Sequence, residues 1–124
     1  MKYCSISEVS AKFNIPESTL RYYEKKGLLP RIERDEAGRR LFSEVQMALL
    51  QTVICLKNTR MPIREIKQYM DWIQEGDATI ERRLEMMTKH KQKVLDEISL
   101  MTDSLQGIDE KIKRYTNRIR EERS

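Results

Sequence analysis

Over the first 78 residues, apolar positions recur at helical spacing in short runs separated by breakers, and from Thr79 onward they settle into one seven-residue repeat. In "SEVSAKF", Val9 and Phe13 lie one turn apart behind Ser7 and Glu8, which predicts a helix over 7–13. "NIPES" breaks it and starts another over 17–26, with Pro16 suited to a first turn and Glu17 or Ser18 able to satisfy its free amides. Leu20 and one of Tyr22 and Tyr23 face inward, which is the spacing of a helix-turn-helix. Gly27 ends the second helix as a left-handed cap, and Asp35-Glu36-Ala37-Gly38 marks the turn of a hairpin, or wing, within "LLPRIERDEAGRRLF". Ser43 and Gln46 stand at capping spacing before a helix over 44–57 that would bury Val45, Leu49, Val53 and Leu56, with Leu50 and Ile54 nearby. Pro62 opens a further helix with Ile63, Ile66, Met70 and Ile73 inward, and Gly76 ends it.

Beyond it, Ile80, Leu84, Met87, Lys91, Val94, Ile98, Met101, Leu105, Ile108, Ile112, Tyr115 and Ile119 alternate spacings of four and three. Only Lys91 is polar, and the flanking positions are mostly charged or polar, the pattern of a coiled-coil seam. At ~1.5 Å per residue this helix runs roughly 60 Å, more than a small head can cover, so its stripe needs a second copy of the chain. The expected fold is mainly α: a winged helix-turn-helix head over 1–77 and a long helix over 78–124 that forms a dimeric coiled coil.

A charged fraction of 35% fits a long solvated helix. Net charge is +4, with 13 Lys+Arg against 11 Asp+Glu in residues 1–78 and 11 against 9 in 79–124, so a nucleic-acid partner must be argued from local placement. No apolar run approaches the ~20 residues of a membrane span, and "MKYCSISEVS" lacks the apolar core of a secretory signal, which favours the cytoplasm and no membrane partner. Two cysteines and one histidine argue against a metal site, and no cofactor is expected. Paired carboxylates, a Ser/His dyad and a phosphate loop are missing, so an enzyme is disfavoured. His90 fits a solvated coiled-coil flank, Tyr69 and Trp72 fit packing, and Cys4 is expected in an exposed segment with no charged partner near in sequence.

The cluster "STLRYYEKKGLL" then has a setting, with Arg21 and Tyr22 early on a recognition helix where side chains meet base edges and phosphates, and Arg39 and Arg40 at the wing. "ISEVSAKFNIPESTLRYYEKKGLL", "RDEAGRRLFSEVQMALLQTVICLK", "MPIREIK" and the terminal repeat together resemble the MerR family of transcription regulators over essentially the whole chain. The resemblance implies an antiparallel coiled-coil dimer that binds double-stranded promoter DNA and distorts an overlong spacer, so that RNA polymerase, an indirect partner, engages both promoter elements. Carried over by position, Ser18, Thr19, Arg21 and Tyr22 would be recognition-helix contacts, Arg39, Arg40 and Phe42 would belong to the first wing, and Arg60 and Arg64 to the second. Arg60 stands where the family usually has glycine, which implies strain if the turn needs a positive φ.

The chain has no cysteine after Cys55, which argues against the metal-responsive and iron–sulfur branches, and it lacks the large binding domain of the multidrug branch. Cys55 in "TVICLKNTRMP", followed by "IQEGDATIERR", resembles the aldehyde-responsive branch, in which a thiol reacts with small carbonyls. Cys55 is expected either as a small buried hydrophobe or as an effector-sensing thiol near Lys57, Arg60 and Arg64. At the inward edge of its helix, an adduct would add volume beside the hinge at 58–61. The rival class is a coiled-coil scaffold whose head binds protein.

Overall fold

The structure, a computed structural model, describes residues 3–124. Helix α1 (Ile6–Phe13) starts one residue earlier than the spacing predicts, because Ser5 is the cap. Its hydroxyl accepts from the Glu8 amide at 3.1 Å while Glu8 Oε1 accepts from the Ser5 amide at 2.9 Å, satisfying two donors reciprocally. The bond from the Ser5 amide, and after it the Ser5 side chain, hold the Glu8 carboxyl below its ordinary pKa. Helix α2 (Glu17–Lys25) begins after Pro16 with no side-chain cap, so neither Glu17 nor Ser18 takes the expected role. At its end, Gly27 at φ +75° donates to the Glu24 carbonyl and Leu28 to that of Tyr23, closing the helix through the left-handed turn that glycine takes without strain.

Strands β1 (Cys4–Ser5), β2 (Glu33–Arg34) and β3 (Arg40–Phe42) form an antiparallel sheet in the order β1-β3-β2. Cys4 pairs with Phe42, and Glu33 with Leu41, so Cys4 is a half-buried strand residue and not part of an exposed tail. Helix α3 (Glu44–Asn58) is capped by Ser43, whose hydroxyl accepts from the Gln46 amide as predicted. Its inward face is Gln46, Leu50, Val53 and Leu56; Val45 is 69% exposed and Leu49 half-buried. The shift follows from Gln46, whose amide Nε2 donates to the carbonyls of Pro30 and Arg31 and ties α3 to the segment before the wing. Helix α4 (Ile63–Glu75) buries Ile66 and Met70. Val9, Leu20, Leu28, Phe42, Leu50, Val53 and Ile66 make a common, fully buried core from α1 through α4.

Helix α3 ends with Arg60 at φ +65°, where Arg60 donates to the Lys57 carbonyl and Met61 to that of Leu56. This is the turn that Gly27 makes after α2, taken by a residue with a Cβ, as the comparison with glycine at this position implies. A second junction lies between α4 and α5 (Ile80–Arg123). Thr79 is 3% exposed, with its hydroxyl 2.6 Å from the Trp72 carbonyl and 2.9 Å from that of Gly76. Arg83 Nε donates to that hydroxyl and Nη2 to the Gly76 carbonyl, each at 3.1 Å. The chain divides into a unit ending at Arg83 and a second unit, Leu84–Ser124. Among the described residues no helix is long and apolar enough to cross a membrane.

Two stability predictions follow from these junctions. Replacing Thr79 with Val removes the hydroxyl that joins the Trp72 and Gly76 carbonyls to Arg83 and should cost about 1 kcal/mol in a urea melt; an unchanged midpoint would show the hydroxyl to be dispensable. Arg60→Gly relieves the left-handed backbone and should raise stability by on the order of 1 kcal/mol, less the entropy that glycine adds to the unfolded chain. A lower midpoint for Arg60→Gly would mean that the turn carries no strain.

Candidate nucleic-acid interface

Burying Leu20 and Tyr23 decides what α2 shows to solvent. Tyr23 is 7% exposed and Tyr22 42%, so the inward tyrosine is Tyr23, and its burial raises the pKa of its hydroxyl. Ser18, Arg21 and Tyr22 are exposed and Thr19 is half-buried, which gives one polar, cationic and aromatic face. Lys26 Nζ lies 5.8 Å from the centre of the Tyr22 ring, adding a cation over the aromatic face. Arg21 pairs with Glu17 at 3.2 Å, with both side chains well exposed, and such a pair exchanges easily for a phosphate.

The wing turn is organised by Asp35. Its Oδ1 accepts from the amides of Ala37 and Arg39 at 3.0 and 2.8 Å, and its Oδ2 from Arg39 Nε at 3.0 Å. The backbone bond from Arg39 is the main reason its carboxyl titrates below the ordinary aspartate range. Gly38 at φ +80° completes the turn. Arg39 projects outward with 80% of its side chain exposed, whereas Arg40 turns onto α2 and donates to Glu24 Oε1 at 2.9 Å with 21% exposed.

Two expected positions differ in the structure. Phe42 belongs to the wing strand, but its ring is fully buried against the shared core, so it anchors the wing and cannot offer its side chain to DNA. Cys55 is exposed, because the inward positions around it are Val53 and Leu56. It is neither a buried hydrophobe nor at the inward edge of its helix. Arg60 and Arg64 are exposed, on the α3–α4 turn and in the first turn of α4. Nothing in the residue pattern marks Glu24 and Arg34 as part of this surface: Glu24 sits inside a basic run, and its partners lie eight to sixteen residues away. Among the described residues no group of three His, Cys, Asp or Glu side chains is placed to hold a metal ion.

In α5 every seam residue from Ile98 to Ile119 is at least 49% exposed, as are Ile80 and Leu84, while Met87 and Val94 are half-buried. Ile98, Met101, Leu105 and Ile108 form one continuous, exposed apolar strip along α5.

Comparison with known proteins places this geometry. An uncharacterized HTH-type transcriptional regulator of Haemophilus influenzae is 35% identical over 109 residues, 88% of this chain and 81% of the relative. The HTH-type transcriptional regulator AdhR of Bacillus subtilis is 29% identical over 92 residues, 74% of this chain and 66% of the relative. The crystal structure of HiNmlR, a MerR family regulator lacking the sensor domain and bound to promoter DNA, superposes with a TM-score of 0.87 at 33% identity, over 94% of this chain and 92% of that one. Residues 4–73, the helix-turn-helix, the wing and most of α4, match the MerR HTH family of regulatory proteins, and the chain belongs to that family.

Proposed function

We propose that the protein is a cytoplasmic, homodimeric, sequence-specific DNA-binding transcription regulator and not an enzyme. Residues 1–77 act as the DNA-binding head and 78–124 as the dimerisation helix. The observation that carries this is the exposed face of α2, Ser18, Arg21 and Tyr22, set beside a wing that projects Arg39. Such a face suits the major groove, with the wing cations on phosphates, Thr19 at the edge of the contact, and Arg60 and Arg64 reaching a neighbouring stretch of backbone. The family membership and the DNA complex of HiNmlR support the same assignment. Replacing Arg21 with Ala should weaken binding to a duplex enriched from a random pool and lower the slope of log K against log salt by about one. Unchanged affinity and slope, with the fold intact by circular dichroism, would remove Arg21 from the interface.

The seam supports the dimer. A monomer would leave the stripe formed by Ile80, Leu84, Met87, Val94, Ile98, Met101, Leu105, Ile108, Ile112, Tyr115 and Ile119 in water, more contiguous apolar surface than monomers usually carry. An antiparallel pairing sets the two heads apart to read two half-sites, and a change in their separation distorts the promoter spacer and presents both elements to RNA polymerase. Asp at both Ile98 and Leu105 should dissociate the dimer in sedimentation equilibrium; a folded dimer in that variant would show the seam to lie elsewhere.

The signal is proposed to be a small electrophile acting at Cys55. Its exposure makes the thiol reachable, while Cys4 is half-buried in a strand. An adduct on an exposed thiol does not overpack the head, so its effect must pass through the last turn of α3, where the Cys55 carbonyl accepts from the Thr59 amide and hydroxyl just before Arg60. Mass spectrometry after treatment with a small aldehyde at near-neutral pH should find the adduct at Cys55 before Cys4, and Cys55→Ser should keep DNA binding while losing the response. An intact response in Cys55→Ser would eliminate the thiol.

A further inference from the structure

We propose that Glu24 is a positioning residue that clips both strands of the wing to the recognition helix and so sets the specificity of DNA binding; this rests on the DNA-binding function proposed above. Glu24 lies in the last turn of α2, and both of its oxygens are engaged. Oε1 accepts from Arg40 Nε of β3 at 2.9 Å and stands 3.7 Å from Arg34 Nη2 of β2, while Oε2 accepts from the Ile32 amide, just before β2, at 3.3 Å. Arg34 Nη1 in turn donates to the carbonyl of Gly38 at 3.0 Å, which carries the restraint to the tip of the wing. One carboxylate thus reaches the approach to the wing, both of its strands and, through Arg34, its turn.

Apart from these bonds the wing is held at its base, where β1 pairs with Leu41 and Phe42 of β3 and Ile32, just before β2, is buried. Strand β2 is two residues long with both exposed, and β3 is three residues long. Beyond Leu41 the sheet is two-stranded, and a hairpin of this size is marginal in water without further contacts. Phe42 fixes the base of β3 in the core but leaves Arg34, Gly38 and Arg39 beyond it. The Glu24 carboxylate and the Arg40 side chain are 19% and 21% exposed, so this charge-assisted bond is better shielded than the Arg21–Glu17 and Arg39–Asp35 pairs.

The carboxylate has no part of its own to play against DNA. An ionised carboxylate only accepts hydrogen bonds, and so do phosphate oxygens, so the two repel. Reading a cytosine amino group would require a free lone pair presented to the groove, and the Glu24 side chain is turned onto Arg40 and Ile32 with little of it exposed. Removing Glu24 therefore has two opposed effects. The surface gains a positive charge, which tightens binding to any duplex, and the wing is released, which weakens only those contacts that depend on its register.

The test uses the full-length protein as wild type, Glu24→Gln and Glu24→Ala, with a duplex of about 30 bp enriched by the wild type from a random pool and a scrambled duplex of the same length. Glu24→Ala should bind the enriched duplex about tenfold more weakly and the scrambled duplex equally or more tightly. Glu24→Gln, which keeps an acceptor oxygen and a near-identical shape, should move in the same direction by less. Amide exchange at Ile32 should quicken in both variants while exchange in α3 stays unchanged. Should Glu24→Ala fail to fold, Glu24→Gln carries the comparison. Tighter binding of both duplexes by one common factor would reduce Glu24 to a surface charge and overturn the proposal, as would loss of discrimination at a single base pair. Failure of the wild type to enrich any duplex would overturn the DNA-binding function itself, and the clip's effect on specificity with it.

Discussion

The burial of Leu20 and Tyr23 against the core that holds Phe42, Leu50 and Ile66 governs the rest of the head. A helix turns about 100° per residue, so fixing those two side chains inward obliges Ser18, Arg21 and Tyr22 to face outward. The same core takes Phe42 from β3, which brings the wing against α2 and not elsewhere on the head. Recognition chemistry and packing are thus two sides of one short helix, and neither can be shifted by a residue without losing the other.

Acidic side chains are woven through this basic surface with distinct consequences. Glu17 and Asp35 hold Arg21 and Arg39 in exposed pairs that contribute little and yield readily to a phosphate. Glu24 holds Arg40 in a more shielded bond, so this arginine supports the geometry from within while its neighbour in sequence reaches out. A chain with a net charge of only +4 can in this way present cations where they are needed without accumulating self-repulsion across its surface.

Much of the architecture was legible in the sequence because punctuation and periodicity agreed. Gly27, Gly38 and Gly76 all lie at positive φ where turns were expected, and Ser43 caps α3 as its spacing predicts. Arg60 adopts the positive φ that comparison with glycine at its position implied. The inward face of α3 was misjudged because Val45, Leu49, Leu50, Val53 and Ile54 give it more than one apolar stripe, and the choice falls to Gln46 and its bonds to the carbonyls of Pro30 and Arg31. Phe42 lies in the wing as expected, but its inward direction and the outward direction of Cys55 depend on contacts between elements, which periodicity does not record. Glu24 was invisible because a carboxylate inside a basic run declares no partner until Arg34 and Arg40 are folded back onto it.

The long helix supplies the other half of the proposed function, since a head with one recognition helix reads one short site and a paired seam turns two such sites into a spaced operator. Dimethyl sulfate protection of an enriched duplex tests this most directly, because it reports guanine N7 in the major groove. The proposed dimer predicts two protected clusters related by a dyad, with unprotected base pairs between them. A single protected cluster, or binding that leaves every guanine N7 reactive, would contradict it.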